Sequence, residues 1–61
     1  MNTTEENGNL QKLNGALKQK FARLTENDQL MQEGQAQEDF GKHQVRVGQT
    51  QEDLKRIIET L

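Results

Sequence analysis

The sequence predicts an all-α protein, a small bundle of three helices with short connections and no sheet. Three observations carry that reading. Apolar residues recur at helical spacing in three successive stretches. A Thr-x-x-Asp signal of the capping-box kind stands before the second and third of them, at Thr25 with Asp28 and at Thr50 with Asp53. No stretch of strand length alternates apolar with polar residues, and the turn pairs Asn7-Gly8 and Asn14-Gly15 lack the β-rich flanks of a hairpin.

The first helix is expected over residues 9–24. At about 100° per residue, Leu10, Leu13, Leu17, Phe21 and Leu24 fall within an arc of roughly 80°, while Lys12, Lys18, Gln19 and Arg23 point elsewhere. Asn9 is placed to cap its start. Nothing apolar anchors the residues after Met1, so residues 1–8 are expected to form a flexible N-terminal segment and residues 9–61 a single helical domain.

The second helix is expected from Glu26 to about Val47, with a wider pattern. Leu30, Met31, Ala36, Phe40, Val45 and Val47 spread over an arc of about 220°, and Gly34, Gln37, Gly41 and Gln44 lie in its middle. Apolar shoulders beside a small-residue groove suit a middle helix that touches two neighbours. Gly48 then stands where a helix would end in the left-handed conformation. Leu54, Ile57, Ile58 and Leu61 follow as the apolar side of a third helix.

The glycines keep a regular interval. Gly8 and Gly15 are seven apart, as are Gly34, Gly41 and Gly48, so each set shares one helical stripe. Each interior glycine costs a helix about 1 kcal/mol relative to alanine, which calls for compensation. Close approach of a neighbouring helix supplies it. The competing reading is a helix that breaks easily and folds only on contact with a partner or on loss of water.

Composition excludes several classes. With 61 residues the chain is one small domain, too short to enclose a deep pocket. Eight basic against ten acidic residues, mixed along the chain, do not suit a nucleic-acid partner. Cysteine is absent, which removes disulfides and thiolate zinc sites and suits a reducing cytoplasm. The N-terminal residues read as neither secretory signal nor transit peptide, and no apolar run is longer than a pair such as Leu30-Met31 or Ile57-Ile58, so a soluble chain is expected. The mean hydropathy of -1.10 sets the composition near the border where chains fail to fold. Lys and Arg are not enriched on the polar faces and Trp is absent, so no membrane partner is expected.

Candidate chemistry is thin. His43 with Asp39 one turn before it offers half of a metal site or an oriented base, and no further ligand at fixed spacing accompanies the pair. Glu38 with Lys42 and Glu52 with Arg56 are ordered acid before base as solvated helix support. No phosphate loop, nucleophile elbow or HExxH helix occurs. A helix-turn-helix reading would give the third helix Lys55 and Arg56 against Glu52, Asp53 and Glu59, which repels phosphate as much as it attracts. The expectation is therefore no catalytic, cofactor-binding or metal residue, no cofactor and no small-molecule substrate.

The run Gly8-Asn9-Leu10, Lys12, Gly15, Leu24-Thr25 with Asp28, Glu33-Gly34, Gly41-Lys42, Gln44, Arg46 and Gly48 resembles the CsbD-like family of small bacterial general stress-response proteins. The resemblance spans residue 8 to residue 61, the expected helical domain. It implies a short all-helical cytoplasmic protein that accumulates under stress, with no established enzymatic activity or cofactor. Similar family members carry Trp in place of Leu10 and near Phe21, Tyr in place of Val47 and a basic residue in place of Gln35. The retained apolar character of Leu10, Phe21 and Val47 favours a core role for those positions. Two function classes follow. One is a hydrophilin-like protectant, suited to a polar chain with nine Gln. The other is an adaptor or self-associating module that docks a helix face, such as the Leu30, Met31 and Val45 shoulder, on a protein partner.

Overall fold

The computed structural model describes residues 2–61, and it resolves them into two helices. Helix α1 runs Thr3–Thr25 and helix α2 runs Asp28–Thr60, with no strand among the described residues. They form an antiparallel hairpin, a rod of 54 × 14 × 10 Å. The all-helical expectation holds, and the three-helix bundle does not: the second and third expected helices are one.

The N-terminal signals lie elsewhere than expected. Asn2 caps α1, accepting a hydrogen bond from the Glu5 N–H at 2.8 Å and donating from its Nδ2 to the Gly48 carbonyl at 2.7 Å. The helix therefore starts at Thr3, before the expected cap Asn9, and residues 3–8 are part of it. What anchors them is a polar cap and a glycine contact, neither of which an apolar pattern reveals. Asn27 caps α2 through the Leu30 N–H at 3.0 Å, while the Thr25 hydroxyl donates back to the Phe21 carbonyl at 3.0 Å instead of capping anything ahead of it. Between the helices, Glu26 adopts the left-handed conformation with φ 52°. The Glu26 and Asn27 N–H groups reach back to the Arg23 and Ala22 carbonyls, a Schellman closure made without glycine.

Gly48 is interior to α2. It lies beneath the start of α1, where an added Cβ would stand 2.6 Å from Glu5 Cγ and 2.7 Å from Asn2 Oδ1. Contact with α1 thus holds helical a residue that local propensity marks as a stop. With α2 continuous, Thr50 and Asp53 fall inside it, and Asp53 pairs with Arg56 at 2.7 Å.

The helices meet along the glycines. Gly8 opposes Gly41 and Gly15 opposes Gly34, so closely that a Cβ on Gly15 would stand 2.5 Å from the Gly34 carbonyl oxygen and from the Glu38 nitrogen. Ala22 continues the seven-residue series of α1 and is 1% exposed, the one buried apolar residue among those described. Backbones that approach this closely gain dispersion and Cα–H to carbonyl contacts along the seam, which is the compensation the glycines require. The groove of small residues predicted on the second helix is real, and α1 lies in it. Val45, expected as a shoulder, packs its Cγ2 over Gly8, and Leu30, Met31 and Val45 are all half-buried. Beside the seam, Gln37 Nε2 donates to Gln11 Oε1 at 2.7 Å, and Gln19 Nε2 to Glu38 Oε2 at 3.4 Å. Gln37 Oε1 and Gln44 Oε1 are buried and accept no hydrogen bond.

The expected core is on the outside. Leu10, Leu13, Leu17, Phe21 and Leu24 are 54–84% exposed, and so are Leu54, Ile57, Ile58 and Leu61 to comparable or greater degree. The leucine stripe lies about 200° round α1 from the line of Gly8, Gly15 and Ala22, so it points away from α2. A leucine pair would hold the axes apart, whereas facing glycines let the backbones touch, and one helix cannot present both faces to a single partner. Residues 53–60 of α2 run past the start of α1, which leaves Leu54, Ile57 and Ile58 without an opposite helix.

Candidate functional surface

Chemistry-bearing residues do not converge. Asp39 and His43 are both exposed on α2, one turn apart, and no group of three His, Cys, Asp or Glu side chains able to hold a metal exists among the described residues. Glu38 and Lys42 form the expected i,i+4 pair at 3.4 Å. The depression at the far end of α2 is lined by Asp53, Arg56 and Ile57, all from one helix, and is an open surface. No helix among the described residues is long and apolar enough to cross a membrane.

What remains is the outer face of α1. Four leucines and Phe21, each more than half exposed, form a stripe along the helix with no counterpart in the chain. Phe21, Phe40 and Val47 each precede a seam residue, namely Ala22, Gly41 and Gly48. In an antiparallel pair these positions fall on the same side of the hairpin, so the apolar surface continues from α1 toward α2. All three side chains are exposed.

Charge divides between the helices. Over residues 7–25, α1 carries Lys12, Lys18, Lys20 and Arg23 and no acidic residue. Helix α2 carries seven acidic against four basic residues. The whole-chain balance hides this division, because the two signs nearly cancel. Ala22 was the available clue to the orientation of α1: it extends Gly8 and Gly15 by another seven residues and so marks the inner face.

Fold and surface together define a glycine-seamed helical hairpin whose large apolar side chains face outward. Comparison of the chain with protein-family models, with curated proteins and with solved structures found no match in any of the three.

Proposed function

We propose that the chain is a small non-enzymatic stress-response protein of the CsbD-like type, acting in the cytoplasm as a contact protectant that docks through the outer face of α1. The observation that carries the docking part is the direction of the leucine stripe. Glycine occupies the helix pair, and Leu10, Leu13, Leu17, Phe21 and Leu24 are left for something else to cover. The stress assignment rests on the sequence resemblance. A purely hydrating protectant would have no use for an exposed apolar stripe, so contact is favoured over bulk hydration.

Drying a labile enzyme with the chain, and with a variant carrying Leu10→Gln, Leu17→Gln and Leu24→Gln, tests this reading. These positions are exposed, so the variant keeps its helices by circular dichroism. Retained enzyme activity is expected with the native chain and not with the variant. Equal protection by both would assign the effect to hydration and remove the docking role.

A further inference from the structure

We infer that the surface that covers α1 is an anionic lipid surface, in place of the absence of a membrane partner expected from the whole-chain charge pattern. The inference deepens the docking reading and rests on it. Basic side chains flank the stripe. Lys18 lies about 100° to one side of the leucine line, and Lys20 and Arg23 lie about 60° and 120° to the other. All three are exposed. A helix laid with its leucines in the headgroup boundary places side chains at those angles level with the phosphates, where long basic chains extend their charge while their methylenes stay with the apolar side.

The second helix has the opposite character and the opposite place. The stripe points directly away from α2, so when α1 lies on a surface its acidic partner is stacked behind it, farther out by an interaxial distance of about 8 Å. That separation is comparable to the Debye length near physiological salt, which weakens the repulsion of the α2 carboxylates. Beyond Glu6, an exposed carboxylate at the N-terminal end of the leucine line, the hairpin thus presents a basic, apolar side and withdraws the acidic residues of α2, although its formal charge is -2.

The same charges disfavour a second copy on this face. Packing α1 against α1 of another chain would bring two all-basic segments together with no acid between residues 7 and 25 of either to offset them. An anionic headgroup layer supplies the missing opposite charge along the C-terminal half of the stripe, where Lys18, Lys20 and Arg23 lie. The glycine seam also suits the role, since it holds the pair together without the leucines and leaves all of them available.

Flotation of the full chain with lipid vesicles tests this, using phosphatidylcholine alone and phosphatidylcholine mixed with phosphatidylglycerol. The chain is expected to float with the anionic vesicles and not with the neutral ones, and to be released when salt shortens the Debye length from about 10 Å to about 3 Å. A variant with Lys18→Gln, Lys20→Gln and Arg23→Gln should bind about 100-fold more weakly, from roughly tenfold or less per basic residue. The control variant with Lys55→Gln and Arg56→Gln, on α2, should bind as the native chain does. Equal binding to both vesicle types, or equal loss in the control, overturns the inference. So does absence of vesicle binding, and a chain that sediments as a dimer through the stripe would assign the face to a second copy. If vesicles fail to bind while the leucine-to-glutamine variant still loses enzyme protection, docking stands and the lipid is excluded.

Discussion

Replacing Gly15 by alanine sets two physical effects against each other. Helix propensity alone makes the change favourable by about 1 kcal/mol, because glycine is the poorer helix former. The seam makes it unfavourable. The new Cβ would stand 2.5 Å from both the Gly34 oxygen and the Glu38 nitrogen and 2.9 Å from Glu38 Cα, all main-chain atoms that cannot swing aside. Reaching ordinary contact requires the helices to part by roughly 1 Å, enough to forfeit a quarter to a half of each local dispersion contact. Overpacking of this kind typically costs about 1–3 kcal/mol. The net expectation is a loss of about 1 kcal/mol in the hairpin, with the sign reversed in an isolated α1 peptide, where Gly15→Ala should raise helicity. Urea unfolding of the full chain, followed by circular dichroism beside the same measurement on the peptide, reads both. Gly15→Leu, with a longer side chain against the same backbone, should disrupt the hairpin outright. A full chain stabilised by Gly15→Ala would show that nothing presses on Gly15, and the seam would be wrong.

Other positions test the remaining features of the hairpin. Phe21→Ala and Ile57→Ala, at side chains 60% and 57% exposed, should change unfolding free energy by no more than about 0.5 kcal/mol in a urea titration, whereas core residues would cost several times that. Asn2→Ala removes both the α1 cap and the bond to the Gly48 carbonyl, and should cost about 1 kcal/mol and speed amide exchange at Glu5. Glu26→Gly relieves a left-handed non-glycine residue and should raise the thermal midpoint, by a gain of about 1 kcal/mol. Gln44→Met removes a buried oxygen that accepts no hydrogen bond and should also stabilise, by about 1 kcal/mol in urea.

Helicity was legible in the sequence because 3.6-residue periodicity survives in every apolar stretch, and the seven-residue glycine interval correctly pointed to close helix approach. The direction of the stripes was not legible by the ordinary rule. Leu10, Leu17 and Leu24 repeat every seven residues, and so do Gly8, Gly15 and Ala22, on opposite sides of one helix. The rule that apolar side chains face inward chooses the leucines, whereas this backbone pairing chooses the glycines. Helix count failed for a related reason. Gly48 with Thr50 and Asp53 is a sound local stop-and-start signal, overridden by the contact of Gly48 with Asn2 and Glu5, which lie 46 and 43 residues away in the chain. The outer surface was hidden twice, first by assigning its leucines to the core and then by a net charge that averages a basic helix with an acidic one.

Nuclear Overhauser contacts between α-protons of facing glycines give the most direct test of the seam. In isotope-labelled chain, Gly8 with Gly41 and Gly15 with Gly34 should each give a strong cross-peak, because only touching backbones bring those protons together. Contacts from Leu10, Leu17 or Phe21 side chains to Leu54, Ile57 or Ile58, with the glycine pairs silent, would mean that the apolar stripes meet each other and that the hairpin described above is not the fold.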